Sequence, residues 1–437
     1  MMLHDTGMGK KPITGRFLRW FLVRASIPVL ISGAGLVPLP AGAQSVSQRP
    51  LLTLDEAVQR TLAQHPELDV FVGKREASRG VVDQAGVGQR PDIDLMVEDF
   101  AGTGDYDAVA RTQSTLSISW ITQGARIESR VQAARVAASQ VEVEKEIKAL
   151  DLTAQTSRLF IQALVEEQRL ALSHTAVQQA RDTVAAIKMR VAIGKSPEFE
   201  HLQAEVELAQ RELEAEDLKH RLTSTRYRLR AQWGEQGSDF RLAGALEKVP
   251  KLDSAEQQFD QLKENPALAL LATQQRIAES KIELARIEAR PQWQFSLGVR
   301  RIDTTDDVGL VAGLSVPLGR DRKSAGNVRS LQGEQAAYAS EFEAFQRQLT
   351  TQLYVLLQEI SHGQHVIRTL QEQILPVLQK AEAHAGRVYE SGKLGYQQWT
   401  AILHKRLVAQ QELLSALEAI HLQHIELQRL TGSTLNF

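Results

Sequence analysis

Sixty-nine consecutive residues, from Ala125 to Ile193, contain neither glycine nor proline and read ARIESRVQAARVAASQVEVEKEIKALDLTAQTSRLFIQALVEEQRLALSHTAVQQARDTVAAIKMRVAI. Apolar residues recur along this run in steps of three, four and seven, as at Leu170, Val177 and Val184. This spacing predicts one α-helix with a coiled-coil seam. Such a helix would be about 100 Å long, so it must pack laterally against other helices to be stable.

Two halves of the chain carry matching motifs, separated by about 200 residues. The matched segments are His65-Pro66-Glu67-Leu68 with Asn265-Pro266-Ala267-Leu268, Arg90-Pro91 with Arg290-Pro291, and residues 190–195 with 387–393. The sequence therefore predicts an internal two-fold repeat, with a first copy over 44–250 and a second over 251–432. Each copy should contain a helix, two strands, a very long helix, a turn and a further helix.

The helices after the turns are also free of glycine and proline. They are predicted from Glu198 to Trp233 and from Tyr396 to Thr431. The long helix of the second half is predicted from about Arg322 to Glu390, and helix breakers lie inside it. We expect bends at Gly326, Gly333, Gly363, Pro376 and Gly386.

Four short segments alternate apolar and polar residues with a period of two, at about 92–100, 112–121, 292–302 and 308–318. This period predicts β-strands with one wet face, and each is long enough to cross a bilayer at a tilt. If the apolar residues of the first strand face lipid, the alternate positions line a lumen. Those positions are Asp92, Asp94 and Glu98.

Four strands cannot close into a barrel, and an open strand edge cannot face lipid. Several chains must therefore share one barrel, and three chains would supply twelve strands. The predicted fold is mainly α with a small β part: a long antiparallel coiled-coil barrel of helices joined to a 12-stranded transmembrane barrel in a trimer. The alternative is an elongated periplasmic coiled-coil scaffold or adaptor, in which the four strands form small sheets.

The N-terminal 43 residues have the pattern of a signal peptide. Five basic residues precede an apolar stretch at 26–39, and Ala41-Gly42-Ala43 is a small-residue cleavage motif. The alternative is a single membrane anchor, for which the apolar stretch is short. Removing 1–43 leaves 46 basic and 52 acidic residues, a net charge of −6, and this acidity argues against a nucleic-acid partner. Residues 433–437 are expected to form a short tail.

No arrangement of residues predicts an enzyme or a cofactor. Cysteine is absent, and the sequence lacks H-E-x-x-H, phosphate-loop and G-x-S-x-G motifs. Two histidine pairs, His362/His365 and His421/His424, have the i, i+3 spacing that lets two ligands share a helix face. No carboxylate completes either pair, so we interpret both as solvated and predict no metal site.

Several motifs, in order, resemble the TolC-type outer-membrane efflux protein family over about 50–432. Residues 52–58 (LTLDEAV) and 63–68 (AQHPEL) resemble its opening pattern, and Ile374-Leu375-Pro376 followed by 388–393 (VYESGK) resembles a later one. Residues 98–104 (EDFAGTG) resemble the first outer loop of its cobalt-zinc-cadmium branch. The resemblance implies a homotrimeric exit duct in the outer membrane, contacting lipid there and extending through the periplasm. It further implies a periplasmic adaptor and an inner-membrane pump, often of the resistance-nodulation-division type, as partners, with heavy-metal cations as cargo. Drug export and type I protein secretion remain alternatives within the family.

The same resemblance implies that an adaptor docks at the two helix–turn–helix tips. The candidate docking residues are Arg190, Gly194, Lys195, Arg387, Gly392 and Lys393. Simple complementarity between basic side chains and helix C-termini is the alternative explanation of the charges. A carboxylate ring at the periplasmic end of the pore is a second hypothesis, with Glu198, Glu200 and Glu390 as its candidates. For Glu198 and Glu200, a favourable position at a helix N-terminus is the alternative.

Overall fold

The structure, a computed structural model, describes residues 51–106, 109, 111–235, 240–249, 251–318 and 322–432. These residues belong to one unit of contacts, which spans 49–437. The predicted signal peptide over 1–43 and the predicted tail over 433–437 lie outside the described residues.

Helices dominate the described residues, and the expectation of a mainly α protein with a small β part is confirmed. In chain order the helices are α1 (Leu54–Gln64), α2 (Pro66–Ala85), α3 (Gly124–Ala138), α4 (Gln140–Ala192), α5 (Glu198–Ala231), α6 (Ala255–Gln261), α7 (Pro266–Glu288), α8 (Arg322–Thr369), α9 (Leu375–Glu390) and α10 (Tyr396–Thr431). The 53 residues of α4 extend about 80 Å at the usual rise per residue.

The strands form two sheets. They are β1 (Leu51–Leu52), β2 (Asp92–Glu98), β3 (Gln113–Ile121), β4 (Arg241–Leu242), β5 (Gln294–Ile302) and β6 (Asp307–Ser315). The short strands β1 and β4 pair in parallel and connect the start of the described chain to the segment between its halves. The larger sheet is antiparallel in the order β2-β3-β5-β6, so β2 and β6 are its edges.

Equivalent caps start helices in both halves. The His65 side chain accepts a hydrogen bond from the Glu67 N–H at 3.2 Å, and Pro66 occupies the first turn of α2. Asn265 accepts from the Ala267 N–H at 2.8 Å at the start of α7, where Pro266 takes the same place. A side chain at the N-cap satisfies an orphan donor, and proline there loses no helical hydrogen bond. Asn265 also donates to the Leu430 carbonyl oxygen at 2.7 Å, which ties α7 to the end of α10.

The predicted helix from Ala125 to Ile193 is interrupted once, at Ser139, between α3 and α4. The Ser139 hydroxyl donates to the Val136 carbonyl oxygen at 2.7 Å, and the Ser139 N–H is shared between the carbonyls of Arg135 and Val136. A serine hydroxyl that bonds to the backbone competes with the helical ladder. The break therefore comes from a polar side chain, and neither glycine nor proline marks it in the sequence.

Most of the helix breakers in the second half do not interrupt it. Helix α8 continues through Gly326, Gly333 and Gly363, and α9 continues through Gly386, so the bends expected at these glycines are not accompanied by breaks. The irregularity is a π-helical turn, Leu370–Ile374, just before Pro376. Proline has no N–H and its ring clashes with the carbonyl four residues earlier, and the wider turn accommodates both effects.

The main hydrophobic core lies where α1, α4, α8 and α10 meet the segment around β4. Its largest fully buried side chains include Phe160, Leu246, Leu353, Ile360 and Ile425. Polar contacts also cross this region: the Thr156 hydroxyl, for example, lies 3.0 Å from the Thr61 hydroxyl and joins α4 to α1. The core thus joins residues from the beginning, middle and end of the chain.

The interpretation of both histidine pairs as solvated is right for one pair and wrong for the other. His362 and His365 are exposed on α8. His421 and His424 are only 4% and 8% exposed on α10. The Nε2 atom of His421 lies 2.9 Å from the Leu246 carbonyl oxygen, so that nitrogen carries the proton. Burial lowers the pKa of His421 and of His424 below the ordinary 6.5.

This burial predicts a pH-dependent stability. Because the folded chain binds fewer protons than the unfolded chain just below pH 6.5, the free energy of unfolding should fall as the pH drops through that value. Thermal unfolding followed by circular dichroism, at about pH 7.5 and about pH 5.5, should give a lower Tm at the acidic pH.

The double variant His421→Gln/His424→Gln should weaken this dependence, whereas His362→Gln/His365→Gln should leave it as in the wild type. Equal slopes of Tm against pH in the two double variants would show that the buried pair does not cause the effect.

Candidate functional site

The antiparallel sheet exposes its apolar residues. Side chains that share one face include Ile93 on β2, Leu116 on β3, Leu297 on β5 and Leu310 on β6. Ile93 is 74% exposed and Leu310 is 83% exposed. No described element of the chain covers this face. Soluble proteins rarely leave a contiguous apolar surface of this kind open to water.

The opposite face is polar and more covered. The Ser119 and Thr115 side chains are only 4% and 6% exposed. The backbone is tightly packed here, because a Cβ atom on Gly298 would lie 2.7 Å from the Cβ of Ser117. One face of the sheet therefore exposes its aliphatic side chains, while on the other face the hydroxyls of Thr115 and Ser119 in the inner strand β3 are covered.

Aromatic residues lie at the end of the sheet that adjoins the helices. The rings of Trp120 and Phe295 stack with centroids 6.0 Å apart, and Trp293 lies 6.4 Å from Phe295. Amphipathic aromatic rings concentrate where a membrane protein passes from hydrocarbon to water. Their position matches the boundary between the apolar sheet face and the charged helices.

All three carboxylates predicted to line a lumen lie on the polar face. Asp94 accepts a hydrogen bond from the Ser119 hydroxyl at 3.2 Å, and Glu98 lies 3.2 Å from a guanidinium nitrogen of Arg300. Asp92 pairs in register with Ser119 at the helix end of the sheet. Sequence reasoning did not single out Arg300, although it is a basic residue at a polar-face position of an alternating strand.

The two helix–turn–helix tips have the same backbone geometry. Gly194 and Gly392 adopt left-handed φ values of +71° and +75°. In the first tip the Lys195 N–H bonds to the Arg190 carbonyl oxygen at 2.8 Å, and in the second the Lys393 N–H bonds to that of Val388 at 3.1 Å. This is the Schellman arrangement, in which glycine reverses the chain after a helix and the last carbonyls are satisfied.

An aromatic and cationic cluster joins the tips, and sequence reasoning missed it. The Arg190 guanidinium lies 4.7 Å from the ring centroid of Tyr389, and its Nη1 donates to the Tyr389 carbonyl oxygen at 3.4 Å. Tyr389 in turn stacks on Trp399 with centroids 4.5 Å apart. Ile187 and Tyr396 complete a small core separate from the main one. The only sequence signal was three aromatic residues within eleven positions.

The electrostatics of this cluster favour neutral tyrosines. Burial raises the pKa of Tyr389, the nearby Arg190 opposes that rise, and Glu200 adds to it. Burial also raises the pKa of Tyr396, with Glu207 adding to the effect. Both rings therefore serve as packing surfaces, and Tyr389 accepts the Arg190 cation over its face.

The other candidate residues of the tips are mostly on the surface. Lys195, Arg387, Lys393, Glu198 and Glu390 are exposed, and Glu200 is half-buried. Glu198 lies 3.7 Å from the His201 ring in the first turn of α5. The structure thus brings Arg190 alone of the candidate residues into the cluster with Tyr389, and most of the other charged candidates are on the surface.

None of the helices built from the described residues is long and apolar enough to cross a membrane. Across the same ranges of the chain, no three His, Cys, Asp or Glu side chains are grouped closely enough to hold a metal ion.

Comparison with known proteins identifies relatives of this arrangement. The outer membrane efflux protein family matches residues 57–235. The cobalt-zinc-cadmium resistance protein CzcC of Cupriavidus metallidurans is 25% identical over 346 residues, which cover 79% of this chain and 81% of that protein.

Solved structures show the same fold at low sequence identity. CusC, whose crystal structures concern transmembrane channel formation, superposes with a TM-score of 0.72 at 14% identity, over 87% of this chain and 92% of CusC. The outer membrane protein VceC of Vibrio cholerae gives a TM-score of 0.69 at 16% identity, over 88% of this chain and 97% of VceC.

These matches confirm the resemblance to the outer-membrane efflux family that the sequence motifs carry. The matched family is that of outer membrane efflux proteins, and the solved structures share the fold of this chain. The relative CzcC is named for cobalt, zinc and cadmium resistance, which is the branch that the loop at 98–104 resembles.

The left-handed turns predict a cost for a side chain at the tip. A Cβ on Gly194 would meet no atom within 4 Å, so Gly194→Ala should be destabilising only through its positive φ, by about 1–2 kcal/mol. Thermal unfolding of the purified protein measures this difference.

Gly333→Ala is the matched control, since Gly333 lies inside α8 and also has open space around it. That change should be neutral or stabilising by up to about 1 kcal/mol. If both variants melt at the same temperature, the turn geometry assigned to Gly194 is wrong.

Proposed function

We propose that this chain is one subunit of a homotrimeric outer-membrane duct that lets heavy-metal cations leave the cell. A periplasmic adaptor and an inner-membrane pump of the resistance-nodulation-division type supply the cargo and the energy. The subunit itself is a passive conduit. The single observation that carries this proposal is the sheet that exposes its aliphatic face and covers its hydroxyls.

The sheet supports a barrel shared between chains. Its edges β2 and β6 each present an unpaired row of backbone groups, and such rows are costly in lipid. When β6 of one copy pairs with β2 of the next, every row is satisfied, and three copies close a ring of twelve strands. The polar face then lines the lumen, with Asp92, Asp94 and Glu98 inside.

An exposed apolar stripe on α5 supports side-by-side packing of the helices of different copies. Its members recur at steps of three, four, seven and fourteen residues, as in a coiled-coil seam. They are Phe199, Leu202, Val206, Leu213 and Tyr227, and all are exposed in the single chain. A stripe of this spacing fits a neighbouring helix of a second copy.

The internal repeat explains why one chain supplies two hairpins and two tips. Hairpin β2–β3 and hairpin β5–β6 each follow a helix with an equivalent proline cap. The helix–turn–helix tip of each half contains a glycine turn of the same geometry. We propose repeats over 44–250 and 251–432, after a signal peptide over 1–43. Three copies of a two-fold repeat give a ring of six similar tips.

The tips are the proposed adaptor site and pore end. Exposed basic side chains flank the glycine turns and suit an acidic partner surface. The proposed docking residues are Arg190, Gly194, Lys195, Arg387, Gly392 and Lys393. The proposed carboxylate ring at the pore end is formed by Glu198, Glu200 and Glu390.

A charge placed on the apolar sheet face tests the membrane assignment. Leu116 is 55% exposed and lies in the middle of β3, so Leu116→Arg would be harmless in a scaffold surrounded by water. In a lipid-facing wall it should cost about 2–4 kcal/mol and reduce the amount of protein in outer-membrane fractions.

Ser117→Arg places the same charge on the neighbouring residue of the polar face and is the matched control. Membrane fractionation and trimer analysis by electrophoresis without heating compare the two variants. Equal membrane recovery of Leu116→Arg and wild type would support the scaffold alternative.

The cargo is tested by deleting the gene and measuring tolerance to zinc, cobalt, cadmium, copper and organic toxicants. We expect tolerance to one or more of the metals to fall and to return with the wild-type gene, but not with the Leu116→Arg variant. Unchanged metal tolerance together with lost tolerance to organic toxicants would reassign the cargo and leave the duct intact.

A further inference from the structure

Only one basic side chain belongs to the polar face within strands β2, β3, β5 and β6. These strands contain two basic residues, Arg300 and Arg301. Arg300 lies in register with Thr115 and Gly309 on the polar face, whereas Arg301 lies in register with Ser114 and Val308 on the opposite face. The polar face otherwise carries carboxylates as its charged groups.

Arg300 forms a clasp across three strands. From β5 its guanidinium donates to the Thr115 hydroxyl at 2.9 Å and to the Gln113 side-chain oxygen at 3.3 Å, both on β3. It also reaches the Glu98 carboxylate on β2 at 3.2 Å. Gln113 in turn donates to Asp99 at 3.0 Å. Arg300 and Glu98 are both about one third exposed, so an ion in the lumen would feel their charges.

The clasp lies at the end of the sheet away from the helices. Glu98, Gln113, Ile302 and Asp307 form the last row before the loops that join the strands of each hairpin. Arg300 is one row further in, and Asp94 and Asp92 follow toward the helices. Asp92 and Asp94, near the helices, are therefore not neutralised by any basic side chain of these four strands. Glu98, near the outer end, is neutralised by Arg300.

We infer that Arg300 is a specificity-determining residue of the duct, which limits how strongly its outer mouth favours small inorganic cations over anions. The inference rests on the proposed function, because it requires the polar face to line a lumen. Three copies place three such guanidinium groups around one mouth. Coulomb interaction with a passing ion then depends on whether Glu98 is paired, since neutralised charges attract and repel little.

Ion selectivity of the full-length protein in planar lipid bilayers tests the inference. The reversal potential in a gradient of potassium chloride gives the permeability ratio of K⁺ to Cl⁻. Arg300→Gln should raise this ratio by about twofold or more, because Glu98 becomes an unpaired anion. Glu98→Gln should lower it by a similar factor, and the double variant should return close to the wild-type ratio.

Arg301→Gln is the matched control, since it removes the same charge from the next residue. The Arg301 side chain pairs with Asp303 at 3.3 Å and Asp306 at 2.8 Å, in the loop beyond the strands. Its selectivity should equal that of the wild type. Arg300→Lys keeps the charge but not the forked donor geometry, and it should also keep the wild-type ratio.

The outcomes separate this inference from the function on which it rests. Conducting channels whose selectivity is the same in wild type, Arg300→Gln and Glu98→Gln would overturn the role of Arg300. A shift in Arg300→Lys as large as that in Arg300→Gln would assign Arg300 to holding the strands together. Wild-type protein that forms no channels would overturn the proposed function itself.

Discussion

An antiparallel sheet whose aliphatic side chains point outward, and whose hydroxyls are covered, constrains everything else in this protein. The hydrophobic effect opposes leaving such a face in water, and none of the described helices lies against it. The two free edges add a second demand, because each carries backbone donors and acceptors that need partners. Lipid against the aliphatic face and further strands against the edges satisfy both demands together.

The helices follow from the same constraint. In the proposed duct, each chain contributes four strands to a shared wall, and long helices would hold the copies in register through extended seams. The buried core of the single chain does not extend along the whole length of the helices. It lies where α1, α4, α8 and α10 meet, and a second small core joins the tips. Between these cores the helices expose apolar positions such as Leu213 and Tyr227, which suit contact with another copy better than contact with water.

Sequence reasoning succeeded where the signal is periodic and local. Alternation with a period of two located the strands, because side chains of a strand point to opposite faces. The absence of breakers located the helices, and the end of α10 at Thr431 matches the expected one. Sequence reasoning failed where a side chain competes for the hydrogen bonds of the helix backbone. The Ser139 hydroxyl interrupts the long helix although serine is not a breaker, and the glycines within α8 do not interrupt it, because surrounding helices stabilise a helix beyond its intrinsic propensity.

The sequence by itself determined the long helices and the four strands of the larger sheet, which residues share a strand face, and where the glycine turns lie, since all of these depend on spacing along the chain. Only the tertiary structure decided that His421 and His424 are buried, that Arg190 lies over Tyr389, and that Arg300 reaches Glu98. The partners of these residues are far away in sequence: 199 positions separate Arg190 from Tyr389, and 202 separate Glu98 from Arg300. Such contacts depend on how the two halves of the chain pack together, and no local period encodes that packing.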